Sequence, residues 1–251
     1  MTTISVVIPT RNDAELLSVC LSALARQTRP ADEIIVVDNG SSDNTAAVCT
    51  AAGVRRIAVD LPGIAASTAH GFDEARCELL ARLDTDSVPP ADWLERVAAI
   101  LDGAGPLSAV TGPGDFYGGN RFARWLGRNV YIAGYFWAIG WLLGHPPLFG
   151  SNFALRSGVW ARIRGKVSRG LPPVHDDLDI SYQIPPEVTV ILEPTLRVGV
   201  SARPFEGWQS VGHRLLMAWT TFGVEFAKER PGRRRRRRRR WERQHPRQTA
   251  A

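Results

Sequence analysis

Two runs, Ile4–Ile8 and Glu33–Asp38, are apolar and mostly β-branched at successive positions. That pattern predicts strands buried on both faces, as in a parallel sheet. Between them Leu16, Leu17, Cys20, Leu21 and Leu24 recur at helical spacing behind Asp13, a residue type that opens helices. The alternation continues with a short Ala-rich helix opened by Ser42 or Asp43 and running to about Ala52, a strand near Arg56–Asp60 and a helix from about Ile64 to Cys77. A strand over Leu79–Leu83 follows, and Pro89-Pro90 starts another helix with proline in its permitted first turn. This order predicts an α/β fold with a Rossmann-like, mostly parallel sheet flanked by helices. Beyond Val110–Pro113 the regularity gives way to a stretch rich in Gly and aromatics over 115–149. The remaining predicted elements are a strand-like Phe149–Arg156, a helix near Ser157–Arg164, a strand at Val188–Glu193 and a helix over 208–228. The last of these carries Leu215, Leu216, Trp219, Phe222 and Phe226 on one face.

Val130–Gly144 is the longest strongly apolar stretch, about 22 Å as a helix and short of the roughly 20 residues that span a bilayer. It predicts a buried, interfacial or re-entrant segment. Its Tyr131, Tyr135, Phe136, Trp137 and Trp141 suit a headgroup boundary. The N-terminus lacks a basic region ahead of a long apolar one, so no signal peptide is expected. Cys20, Cys49 and Cys77 are odd in number and widely spaced, which predicts neither a disulfide framework nor a zinc site. A cytoplasmic location follows, with peripheral contact at the inner face of the membrane as a further expectation.

Charge divides the chain. The net +6 invites a nucleic-acid reading, but residues 231–251 hold ten Arg and one Glu, leaving 21 basic and 24 acidic side chains in 1–230. The body is thus −3 and the tail +9. Arg233–Arg240 are eight consecutive arginines, a run predicted to be disordered and to act through charge on an anionic membrane surface or, without sequence preference, on nucleic acid. No folded nucleic-acid module is visible, so no specific nucleic-acid partner is expected.

In open α/β sheets ligands bind beyond the carboxyl ends of the strands. Three predicted strand ends carry polar clusters: Pro9-Thr-Arg-Asn-Asp13, Asp38-Asn-Gly-Ser-Ser-Asp43 and Asp84-Thr-Asp86. Carboxylates gathered at one edge call for a cation or a donor-rich ligand between them. A divalent metal with a nucleotide is the simplest such ligand, with one of Asp84 and Asp86 able to take a sugar hydroxyl and the other a hard ion. Asp176-Asp-Leu-Asp179 reads either as an acid-enriched helix start or as a source of a general base.

Val6-Val-Ile-Pro-Thr-Arg-Asn12, Ile35-Val-Val-Asp-Asn-Gly-Ser-Ser-Asp43, Leu83-Asp-Thr-Asp-Ser87, Gly150-Ser-Asn-Phe-Ala-Leu-Arg156 and Asp176-Asp-Leu-Asp-Ile-Ser181 stand in this order. Together they resemble the inverting family 2 glycosyltransferases of GT-A fold. The resemblance implies a nucleotide-sugar donor, Mg²⁺ or Mn²⁺, a glycan or lipid-linked acceptor, and inversion at the anomeric carbon. It puts Pro9, Thr10, Arg11, Asn12 and Asp38 at the nucleotide, Asp84 at the ribose or sugar, and Asp86 on the metal, with His213 as a candidate further ligand. It puts Gly150, Ser151, Asn152, Asp176 and Asp179 on the donor-sugar and acceptor side, and makes Asp177 the catalytic base. Family members commonly have Tyr where Arg11 stands; its guanidinium can stack on a base or reach a phosphate. The Gln-x-x-Arg-Trp pattern of the family's processive polysaccharide synthases is missing, which implies transfer of one sugar. The implied organisation is a single domain over 1–230, nucleotide-binding to about 113 and acceptor-binding from about 114, followed by the tail over 231–251. Two other classes fit the residues without the resemblance: a noncatalytic nucleic-acid or membrane-binding protein on an α/β scaffold, and a nucleotidyltransferase.

Overall fold

The computed structural model describes residues 2–118, 132–170, 174–202 and 208–246, with the backbone alone given for 208–215. Its strands are β1 (Ile4–Thr10), β2 (Glu33–Asn39), β3 (Arg55–Val59), β4 (Leu79–Arg82), β5 (Ser108–Thr111), β6 (Gly114–Tyr117), β7 (Phe153–Arg156), β8 (Thr189–Leu192) and β9 (Val198–Ser201). Its helices are α1 (Ala14–Ala25), α2 (Thr45–Ala51), α3 (Ile64–Glu74), α4 (Trp93–Gly103), α5 (Ala133–Leu143), α6 (Ser157–Ile163), α7 (Asp176–Gln183), α8 (Trp208–Lys228) and α9 (Pro231–Gln244). A seven-stranded sheet runs β3-β2-β1-β4-β7-β5-β8, and β6 pairs with β9 apart from it. Only β7 is antiparallel to its neighbours in the large sheet.

Period-two alternation explains why both faces carry helices. Ile4, Val6 and Ile8 of β1 pack with Leu17, Leu21, Trp93 and Leu101 from α1 and α4, while Val7 joins Ile35, Val37, Phe72 and Trp160 on the other face. Gly71 lets α3 lie close on that second face, because a Cβ there would come within 2.4 Å of Val7 Cγ1. The strand β7, from the second half of the chain, lies between β4 and β5, so a division near residue 113 separates stretches of sequence that complete one sheet.

Four expectations are corrected. The sequence reading has Asp13 open α1, but its side chain makes no cap; Asp43 from the neighbouring loop accepts the Ala14 N–H at 2.9 Å instead. Helix α3 ends at Glu74, and the antiparallel strand β7 begins only at Phe153 because Phe149–Asn152 forms a turn closed by the Asn152 N–H on the Phe149 carbonyl. The arginine tail is helical from Pro231 to Gln244 rather than disordered. Its anchor is the C-terminal end of α7, whose last carbonyls have no partner within the helix. Arg234 donates to the carbonyls of Tyr182, Ser181 and Ile184, and Arg238 one turn later donates to Val188. Cation charge at a helix C-terminus is favourable through the dipole. Burial, followed by the neighbouring Arg238, pulls Arg234 down to about 10, which leaves it charged at neutral pH. Buried His145, held well below its ordinary value by burial and by Arg238 and Arg234, stays neutral. Its Nδ1 donates to the Pro146 carbonyl, leaving Nε2 to accept from Arg234 at 3.0 Å.

Helix α8 packs on α7 through a buried polar contact. Glu225, 1% exposed, accepts from Gln183 and Lys228 at 2.6 Å each, beside the equally buried Asp179. Burial, with the Asp179 charge adding to it, pushes Glu225 up to about 7 from an ordinary 4.5. The folded chain therefore holds this proton in a range where the unfolded chain has released it. The stabilisation is complete below about pH 4.5 and is lost as pH rises through about 7. Melting curves at pH 5 and pH 8 should show a larger drop for the parent than for Glu225→Gln; equal drops would remove Glu225 as the source.

Candidate active site

The parallel order β2-β1-β4 aligns the carboxyl ends of three strands, and their loops bond to one another. Asn12, in the left-handed region at φ 54°, gives its N–H to Ser41 Oγ at 2.9 Å and accepts the Ser42 N–H at 2.8 Å. Thr85 Oγ1 donates to Asp13 at 3.4 Å. Pro9 is buried in β1, while Arg11 and Asn12 are exposed at its end. Thr10 is 5% exposed, and its buried hydroxyl has no hydrogen-bond partner among the described residues. An orphaned hydroxyl at a strand end costs free energy that a bound polar ligand recovers. Asp38, 1% exposed, accepts from the Ser41 N–H and from Arg56, whose Nε lies 2.8 Å away. Burial works against its ionisation, yet the Ser41 and Arg56 contacts prevail and hold it below the usual carboxylate range.

Behind Asp84 lies a residue that the motif reading passes over. Arg82, 1% exposed in β4, reaches Asp84 Oδ1 with Nη1 at 2.7 Å and Asp176 Oδ2 with Nη2 at 2.8 Å. One planar guanidinium thus joins the end of β4 to the start of α7, a bridge for which the rigid Arg fork is suited. Burial alone would weaken its charge, but Asp176, Asp84 and Asp177 together push its pKa up. Asp176, 4% exposed, also accepts from Thr68 at 2.7 Å, so it is a buried framework group rather than one lining the acceptor side.

The turn before β7 completes the arrangement. Ser151 Oγ donates to Asp84 Oδ2 at 2.5 Å, and the Gly150 N–H donates to Asp177 Oδ2 at 3.0 Å. Adjacent residues therefore hold Asp84 and Asp177, the candidate donor carboxylate and the candidate base. A side chain at Gly150 would put a Cβ 2.8 Å from Arg82 Nη1 and 3.2 Å from Asp177 Oδ2, so glycine is required for the closeness. Asp177 is partly exposed and also accepts the Leu178 N–H at 2.7 Å. Burial, then the Asp176 charge, push its pKa up, while His175, Arg82 and the Gly150 N–H oppose the rise. A carboxyl raised in this way is a better proton acceptor than an exposed one. Asp86 is partly exposed, and its backbone carbonyl accepts from Tyr117 at 2.7 Å.

Two expected site residues point elsewhere. Asn152 is fully buried: it accepts from Trp93 Nε1 at 2.9 Å and donates to the carbonyls of Pro113 and Leu196, so it ties loops together beneath the sheet edge. Asp179 accepts from Ser168 N–H and Oγ beside Lys228, away from Asp177. The His213 side chain lies outside the described residues. Among those described, no three His, Cys, Asp or Glu side chains converge as a metal cage.

The sequence matches the family described as Glycosyl transferase family 2 over residues 5–167. Glycosyltransferase AglE of Haloferax volcanii is 36% identical over 110 residues, which cover 41% of this chain and 36% of that protein. An undecaprenyl-phosphate 4-deoxy-4-formamido-L-arabinose transferase of Serratia proteamaculans is 36% identical over 109 residues, 39% of this chain and 33% of the relative. The chain thus spans about a third of the length of these curated relatives. In fold it is similar to a mannosyltransferase of Pyrobaculum calidifontis solved with GDP-Man and Mn²⁺, with a TM-score of 0.66 at 19% identity over 93% of this chain and 68% of that one. The fold likeness places the mostly parallel sheet and its flanking helices with GT-A structures, and from the family match over more than half its length the chain belongs to glycosyl transferase family 2.

Proposed function

We propose that this chain transfers one sugar from a nucleotide-diphosphate donor to an acceptor hydroxyl, with inversion at the anomeric carbon. The observation that carries the reading is the 149–152 turn, which bonds Asp84 through Ser151 and Asp177 through Gly150. Donor carboxylate and base are thereby fixed one residue apart on a single scaffold. In this reading the Thr10 hydroxyl, Asn12 and Asp38 meet the nucleoside, and Arg11 stacks on the base or reaches a phosphate. Asp84, oriented by Arg82 and Ser151, takes ribose or sugar hydroxyls, and Asp177 accepts the proton that the acceptor hydroxyl loses as it attacks from the side opposite the leaving group. Asp86, a partly exposed carboxylate beyond the end of β4, would hold Mg²⁺ or Mn²⁺, hard ions that take oxygen ligands. When bound, such an ion supplies neutralisation of the charge gathering on the leaving diphosphate. His213 remains a candidate second ligand.

Of the two acceptors the sequence leaves open, a hydroxyl and a lipid-linked phosphate, the hydroxyl is the reading that the candidate base favours. A phosphate is already ionised and would meet Asp177 as a like charge. The Serratia relative is named for undecaprenyl phosphate, so a lipid-linked phosphate is the second acceptor reading, favoured if Asp177 proves dispensable for turnover. Thermal-shift measurement with UDP, GDP and dTDP, each with Mn²⁺ and with chelator, tests the donor side. Ligand at 100 times its Kd stabilises by about 2.7 kcal/mol, a shift of roughly 5–10 °C for a chain of this size. The shift should vanish with chelator and in Asp86→Ala; a shift indifferent to both would refute the metal assignment.

A further inference from the structure

Helix α5 is apolar on every side, yet only Leu143 in it is buried. A helix of that composition ordinarily lies inside a protein or against lipid. Here Trp137 is 76% exposed and Trp141 61%. Across a cavity of about 410 Å³ stands α8, which adds Phe222 and Phe226 to the walls and presents Leu216 at 62% and Trp219 at 78% exposure. Exposed apolar side chains gathered in one place mark an interaction surface. Among the described residues no helix is long and apolar enough to cross a membrane.

What covers this patch is indicated by α9. Its Arg234 turns inward to the end of α7 and its Arg238 to the Val188 carbonyl before β8, while Arg235 stacks over Trp141 with its Cζ 4.2 Å from the ring centroid. Arg233, Arg236, Arg239 and Arg240 are exposed. The arginine helix therefore borders the tryptophans directly. Tryptophan at the headgroup level with arginine beside it is the composition of a helix face lying in an anionic interface. A protein partner would bury such a patch, but the arginine row selects for a dense anionic plane. We infer that α5, α8 and α9 form one docking face for an anionic bilayer, with Trp137, Trp141, Leu216 and Trp219 entering the interface and the outward arginines of α9 holding headgroups. The inference stands on these three helices and does not rest on the catalytic roles. Its consequence for the site is proximity: Tyr135 and Phe136 on the inner side of α5 pack on Phe149, which precedes Gly150.

The test is sedimentation of the full chain with phosphatidylcholine vesicles with and without phosphatidylglycerol. Binding is expected only with phosphatidylglycerol and should weaken with salt. Trp137→Ser with Trp219→Ser, both at exposed positions, should reduce it by about tenfold at unchanged melting temperature. Arg236→Ser, Arg239→Ser and Arg240→Ser should each reduce it about fivefold. Bromine-labelled acyl chains should quench tryptophan fluorescence in the parent, a readout independent of the variants. Equal binding to both vesicles, full binding by the tryptophan variant, no quenching, or tighter binding to nucleic acid than to phosphatidylglycerol would each overturn the inference.

Discussion

Replacing Arg82 by methionine is expected to lower stability by about 3–5 kcal/mol, the usual cost of stripping one partner from a buried ion pair. For a chain of this size that is a fall in Tm of roughly 6–20 °C. Methionine fills much of the same volume, so the loss comes from charge rather than from a cavity. Asp176, 4% exposed, would keep only the Thr68 hydroxyl among the contacts described above, and Asp84 would lose its 2.7 Å cation. Arg82→Lys should recover part of the loss, since one ammonium can serve one carboxylate but cannot span two. The double variant Arg82→Met with Asp176→Asn should be more stable than Arg82→Met alone, because the uncompensated charge has gone with its partner. Differential scanning calorimetry on the four proteins measures this. If Arg82→Met melts within about 2 °C of the parent, the guanidinium is not a structural tie. The functional mark of the tie is a raised KM for donor in Arg82→Lys, which folds yet leaves one of its two carboxylates unheld.

How much of this was legible follows from what each signal encodes. The strands β1, β2 and β4 were readable because burial on both faces leaves an unbroken apolar run, and period alone then places their ends. The strands β6 and β9 were not, since Gly114-Asp-Phe-Tyr117 and Val198-Gly-Val-Ser201 lack such a run and acquire their state from pairing with each other. A motif names a residue but not the direction of its side chain. Asn152 sits inside a matching block and faces down into Trp93 and Leu196, while Asp43 rather than Asp13 caps α1. The arginine run reads as disordered because such a run cannot pair with itself. Carbonyls at and just beyond the end of α7 supplied the partner, which no local reading of 231–251 contains. Arg82 did leave a signal: a lone cation within Leu79-Leu-Ala-Arg-Leu83, otherwise a buried strand, requires a buried anion somewhere.

Asp177→Asn is expected to cut kcat by about 10²–10⁴ while leaving donor affinity near that of the parent, the signature of a lost general base. The amide preserves shape but cannot take a proton. Its oxygen can still accept one of the two N–H groups, from Gly150 or Leu178, that the carboxylate now receives. The turn that holds Asp84 through Ser151 should therefore persist, and thermal shift with donor and Mn²⁺ should report it as intact. A pH profile separates base from scaffold. Because burial and Asp176 push the Asp177 carboxyl up, kcat/KM in the parent should climb with pH at values above the usual carboxylate range of about 4. In Asp177→Asn that climb should disappear, leaving a flat, low rate. A variant whose turnover stays within about threefold of the parent would mean that the acceptor arrives already ionised, as a phosphate does. The same chain would then need Asp177 only to set the Gly150 turn, and Gly150→Ala, which drives a methyl against Arg82 and Asp177, would be the more damaging change.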